Sequence, residues 1–243
     1  MKFALVDDIR TTAKPRLSGV CIGCGSVVIP KCGPRRRHHW AHKSKQDCNY
    51  LREPETDWHR AWKDEFPEDW QEVVQFNEET GEKHIADIQT DHGWTLEVQN
   101  SAISEDEKES RNDFYPNLVW VVNALKMKKA HSQLLEVKAV ARKIVSHRLF
   151  DVYWSRGLYQ DYRRRDQWFN NKSVIAFDYG DKEKDAEDNT NWLWVLLPDD
   201  SHQFLVPLRE SYFIRLIREG RLSSFIELVR QEIAISPEKL DSW

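Results

Sequence analysis

The spacing of apolar and polar positions changes period along the first half of this chain. From Pro54 to Lys63 the period is helical. Trp58, Trp62 and Phe66 form an apolar stripe, and Glu55, His59 and Lys63 repeat at i, i+4 and i+8 along a polar one beside it. The period then shortens towards two. Glu72 to Phe76 predicts a short strand, and the stretches HIADIQT (84–90) and WTLEVQNS (94–101) predict a hairpin around Asp91-His92-Gly93. A three-residue turn ending in glycine pairs Thr90 with Trp94. Counting back from that pair sets Asp87 opposite Glu97, with Gln99 on the same face. Ser104 with Glu107 opens a helix over 104–114 as a capping box, and Leu118 to Val122 reads as a buried strand. The predicted order is helix, three strands, helix, strand.

The second half is less regular. Leu134, Leu135, Val137, Ala141, Ile144 and Val145 predict a helix within 125–149. Strands are expected at 174–177, 192–197 and 204–206, with an acidic loop from Asp178 to Asn191. Helices at 211–219 and 222–234 are separated by Gly220, a C-cap.

Chemistry enters with the hairpin. Two carboxylates and a polar neighbour on one sheet face suit a hard divalent cation such as Mg²⁺ or Mn²⁺. The cysteines point to a second metal. All four (Cys21, Cys24, Cys32, Cys48) fall in the first fifth of a 243-residue chain. The opening residues carry no secretory pattern, so the expected compartment is the cytoplasm, where clustered Cys and His read as ligands and not as disulfides. Cys21 and Cys24 are spaced like a zinc knuckle, and His39 and His42 can complete a closed, structural four-ligand site. Cys48, Cys32 and His38 are further candidates, Cys32 being the weakest.

Charge adds less. The net charge of −4 does not announce a nucleic-acid binder, but Arg35-Arg36-Arg37 and Arg163-Arg164-Arg165 are local basic runs able to touch phosphates. No segment is long and apolar enough to cross a membrane.

Four stretches together resemble a known family: Cys21-Ile22-Gly23-Cys24, His39-Trp40-Ala41-His42, Glu55-Thr56-Asp57-Trp58-His59, and Asp87 with Glu97-Val98-Gln99-Asn100-Ser101. In order and spacing they resemble the competence-protein CoiA-like branch of the PD-(D/E)xK nuclease superfamily, over residues 18 to 124. The resemblance implies an α/β fold: a restriction-endonuclease-like αβββαβ core (51–148) behind an N-terminal zinc-ribbon-like module (1–50), followed by an α+β C-terminal region (149–243). It favours Cys21, Cys24, His39 and His42 as zinc ligands. It maps the catalytic acids onto Asp87 and Glu97, which bind Mg²⁺ or Mn²⁺, and onto Glu55. Gln99 takes the place of the superfamily's lysine, an amide where a charge is usual. The expected activity is metal-dependent hydrolysis of DNA, in DNA processing or defence against foreign DNA. Arg35, Arg36, Arg37, His59 and Lys63 would hold the strand, and the C-terminal region would read substrate or bind a protein partner. The alternative is an inactive nuclease-fold binding module or adaptor.

Overall fold

The computed structural model describes residues 1–35, 37–44, 48, 55–78, 80–126, 135, 138–139, 141–154, 168, 173–184, 190–198 and 203–235. The fold is mixed α/β, in two compact units, Met1–Gln89 and Thr90–Trp243.

In the first unit, β1 (Phe3–Val6), β2 (Ile9–Thr12), β3 (Gly19–Val20), β4 (Val27–Lys31) and β5 (His39–His42) form an antiparallel sheet in the order β2-β1-β3-β4-β5. Its small core centres on Ala4, Cys21, Val28 and Trp40, with Cys32 and Cys48 packed against it. Helix α1 (Asp57–Asp64) follows. It begins two residues later than the stripe suggests, because Thr56 is an N-cap. The Thr56 hydroxyl accepts from the His59 amide while the His59 ring reaches back, a capping box. Glu55 therefore precedes the helix. Trp62 and Phe66 are buried as expected. Strands β6 (Gln71–Phe76) and β7 (Lys83–Gln89) close the unit as an antiparallel pair.

The second unit opens on the predicted turn. The Thr90 amide donates to the Trp94 carbonyl at 2.9 Å, the Thr90 hydroxyl takes the Trp94 amide at 3.0 Å, and Gly93 has φ +80°. The strands β8 (Thr95–Gln99), β9 (Leu118–Asn123), β10 (Arg142–His147), β11 (Phe150–Trp154), β12 (Val174–Asp178), β13 (Trp192–Pro198) and β14 (Gln203–Arg209) lie in the order β10-β11-β14-β13-β12-β9-β8. β8, β9 and β12 run parallel, and all six residues of β9 are buried. The strands after residue 149 thus extend the sheet that holds β8 and β9, because β12 pairs directly with β9. α2 (Glu105–Phe114) starts at its Ser104 cap as predicted, and α3 (Glu210–Arg218) and α4 (Leu222–Ala234) flank Gly220 at φ +67°.

One expectation is overturned. Ile144 and Val145, assigned to a helix, lie in β10. A register shift between Lys143 and Val145 lets two consecutive side chains face inwards, which hides the strand period from sequence reading. Leu135, Lys138 and Ala139 are helical, and Leu134 and Val137 of that expected helix lie outside the described residues. So do Arg163 to Arg165. Among the described residues no helix is long and apolar enough to cross a membrane.

Candidate functional site

A cluster of residues able to hold a metal ion forms in the first unit. Cys21, Cys24, His42 and Cys48 bring one ligand atom each to within 4.8 Å of one another. Cys21 follows β3 and starts a tight knuckle, where its own amide donates to the Ser26 carbonyl and the Gly23 amide donates to its sulfur at 3.4 Å. The Cys21 and Cys48 sulfurs are 4.0 Å apart, and the Cys24 sulfur is 3.3 Å from His42 Nε2. With zinc–sulfur bonds of about 2.3 Å, tetrahedral neighbours stand about 3.8 Å apart, so the cluster has the dimensions of a Cys₃His metal site. Burial pushes the Cys24 thiol up. Hydrogen bonds from the hydroxyl and amide of Ser26, and from His42 and Cys48, outweigh it and bring the thiol down to about 6, towards the thiolate a metal needs. Cys21 is pushed up by its deeper burial.

His39 is not part of this cluster. The stretch HWAH is a strand and not a turn, so His39 and His42 project to opposite faces. His42 shares the inward side with buried Trp40, and the His39 ring bonds the Arg37 carbonyl at 2.9 Å. Cys48 takes the fourth position, and Cys32 stays outside.

The second constellation of the first unit gathers three acids round one lysine. Lys63, on α1, is 3 % exposed. Its ammonium lies 2.5 Å from Glu55 Oε1, 2.8 Å from Glu72 Oε1 and 3.8 Å from Asp87 Oδ1. The hairpin register explains part of this. Gln71 pairs with Ile88 and Val73 with Ala86, so Glu72 and Asp87 share the rung between. Glu72 is held further by β1, because its two carboxylate oxygens accept the amides of Lys2 (2.8 Å) and Phe3 (3.0 Å). It has φ +47°, a left-handed conformation that a non-glycine residue keeps only when its surroundings enforce it. Burial pushes the Glu72 carboxyl up, but Lys63 and the hydrogen bonds it accepts bring it down to about 2. Burial likewise opposes the charge on Lys63, and Glu72, Asp87 and Glu55 more than reverse that, holding it above its ordinary value. Glu55 is depressed, against its burial, chiefly by Lys63. Its other oxygen accepts from Arg60. Side-chain exposure separates the three acids: 3 % for Glu72, 13 % for Glu55 and 27 % for Asp87. Asp87 is the one that faces solvent.

Glu97 belongs to the second unit. It is buried, and one of its oxygens accepts from Arg111 on α2, which also bonds Glu107. Gln99 is half-buried and donates from its amide to the Ser101 carbonyl at 3.0 Å.

The residues expected to grip a nucleic acid have mixed placements. Lys63 and His59 are buried, one among carboxylates and one in the helix cap, so neither presents itself to a phosphate. Arg37 is exposed but pairs with Asp64 at 3.0 Å and lies 3.6 Å from Asp57, so it tethers its loop to α1. Arg35 is exposed, and Arg36 lies outside the described residues. Sequence reading missed Glu72 as a member of the acidic cluster. The signal was an acid at the start of a strand, but its rung depends on the Asn77–Glu82 connection, whose length and closure are not legible from residue types.

Two comparisons with known proteins return nothing: neither a curated protein nor a solved structure gives a significant match. Residues 12–51 match the family model of the competence protein CoiA N-terminal domain. The matched stretch spans Cys21, Cys24, His42 and Cys48 of the cluster, and over these residues the chain is similar to the CoiA N-terminal domain.

Proposed function

We propose that the chain is a divalent-metal-dependent nuclease that hydrolyses phosphodiester bonds in DNA, with zinc as the structural ion of the Cys₃His cluster. The observation that carries this reading is the gathering of Glu55, Glu72 and Asp87 round Lys63, with Asp87 left towards solvent. Such an arrangement costs folding energy through charge burial, and a purely structural unit has little use for it. Asp87 would supply a hard oxygen for Mg²⁺ or Mn²⁺. A bound ion would lower the pKa of a water and offset charge on the reacting phosphate. Lys63, itself held by Glu55 and Glu72, faces Asp87 from the buried side. Gln99, its amide anchored on Ser101, is an uncharged group where the superfamily carries a lysine, and would offer hydrogen bonds without adding charge. DNA processing or defence against foreign DNA is the setting this chemistry serves, and the C-terminal strands and helices are the part available for a protein partner.

A second reading, a nuclease-fold module that binds nucleic acid without cutting, is favoured by one observation. Glu55 spends both oxygens on Lys63 and Arg60, and Glu97 gives one to Arg111. A cleavage assay on single-stranded, duplex and branched DNA, with Mg²⁺, Mn²⁺ or EDTA, separates the two. The nuclease reading expects metal-dependent cutting, a loss of at least about a hundredfold in Asp87→Ala, and reduced turnover with unchanged DNA affinity in Gln99→Ala. DNA retention with no cutting under any metal, joined to a gain of cutting in Gln99→Lys, selects the binding module.

A further inference from the structure

We infer that the Cys₃His cluster and the Lys63 cluster are coupled: metal held at the first keeps Glu72 seated against Lys63, and metal loss releases it. The inference rests on the metal reading of the Cys₃His cluster and is independent of nuclease activity. Two routes of contacts join the clusters within the first unit. One runs through β1. The Cys21 sulfur lies 3.7 Å from the Met1 sulfur, and the Met1 carbonyl accepts the amide of Trp40 at 3.0 Å, two residues before His42. The next two amides along the chain, those of Lys2 and Phe3, are the pair that the Glu72 carboxylate accepts. Lys2 also ties the end of α1 to β6, its ammonium lying 2.9 Å from both Asp64 Oδ1 and Gln71 Oε1. The other route starts at the knuckle. Gly23 donates its amide to the Cys21 sulfur, and its carbonyl accepts from the Lys83 ammonium at 2.6 Å. Lys83 opens β7, the strand that carries Asp87.

Glu72 is the element with two arrangements. At φ +47° its backbone keeps a conformation that persists only while its neighbours enforce it, and those neighbours are β1 and Lys63. The sheet that positions β1 has a small core of Met1, Ala4, Ala13, Cys21, Val28 and Trp40, and Cys21 is itself one of the four ligands. In so small a module the bonds to metal supply much of the folding free energy. Without them the Lys2 and Phe3 amides leave, and Glu72 relaxes away from the ammonium. Linkage makes the coupling reciprocal. Groups that seat Glu72 or brace the knuckle therefore raise the affinity for metal, although they are not ligands.

The test has two arms, both on the full chain. In the first, Zn²⁺ affinity is measured by competition with a chromophoric chelator for wild type, Glu72→Gln, Lys83→Met and, as a control in the second unit, Lys143→Met. Glu72→Gln and Lys83→Met are each expected to bind Zn²⁺ about tenfold more weakly, and Lys143→Met as wild type does. In the second arm, nitrogen-15 NMR follows the Lys63 ammonium and the exchange of the Lys2 and Phe3 amides in wild type. Chelation of zinc is expected to abolish the Lys63 signal and the protection of both amides, and zinc return to restore them. Wild-type affinity in either folded variant would overturn the coupling, as would a Lys63 signal that survives in the zinc-free chain. Should Glu72→Gln not fold, Lys83→Met and the NMR arm decide. A chain that takes up no zinc removes the metal reading and the inference with it. A zinc-loaded chain that shows the coupling but does not cut DNA removes only the nuclease activity.

Discussion

Replacing Cys48 by serine is expected to empty the N-terminal metal cluster, and replacing His39 by alanine is not. The four ligand atoms that meet are those of Cys21, Cys24, His42 and Cys48, whereas His39 lies on the other face of β5. A structural zinc in a small module supplies on the order of 10 kcal/mol of folding free energy, and removal of a thiolate ligand forfeits much of it. The core that remains without metal is small: Ala4, Val28 and Trp40 with a few neighbours. Cys48→Ser, or chelation of the wild type, is therefore expected to unfold the five-stranded sheet and expose it to proteolysis. The strands and helices of residues 90–235 should keep their protection, since their sheet has its own large core. Elemental analysis with limited proteolysis reads both effects. Full metal content in Cys48→Ser, or its loss in His39→Ala, would refute the ligand set.

The second large effect belongs to Glu72. Glu72→Gln leaves Lys63 buried with one partner fewer and replaces a carboxylate that accepts two backbone amides. Breaking a buried ion pair from one side typically costs about 3–5 kcal/mol, and that loss is expected in urea unfolding of the variant near neutral pH. The pH dependence has a definite sign. The folded carboxyl lies at about 2, below its ordinary 4.5. Its contribution is present in full above pH 4.5 and fades as pH falls from there towards 2, amounting to on the order of 3 kcal/mol. Glu72→Gln should flatten the wild-type stability curve across that window. An unchanged slope, or a loss under 1 kcal/mol, would show that Glu72 is not the anchor of Lys63. The left-handed backbone at Glu72 fits the same role, since strain of about 1–3 kcal/mol persists only where surrounding bonds over-determine it.

Much of the local structure was legible before any coordinates. The glycine of Asp91-His92-Gly93 and the pairing of Thr90 with Trp94 follow from turn chemistry, and the structure shows both. The Ser104 cap and the buried run from Leu118 carry equally local signals. Cysteine spacing marked an N-terminal stretch with a possible metal-holding cluster, because ligand chemistry needs particular residue types close in sequence. The selection among them was a tertiary matter. His39-Trp40-Ala41-His42 reads as a short turn or one helical turn, and only pairing with β4 makes it a strand, with the two histidines on opposite faces. Ile144 and Val145 took strand geometry through pairing with β11, which outweighs the weak helical pattern around them. The acidic cluster shows the same division. Asp87, Glu55 and Lys63 were visible as chemically capable residues. Their convergence, and the part of Glu72, depend on the register of β6 against β7 and on amides donated by β1 some seventy residues earlier, contacts between distant segments that no local pattern encodes.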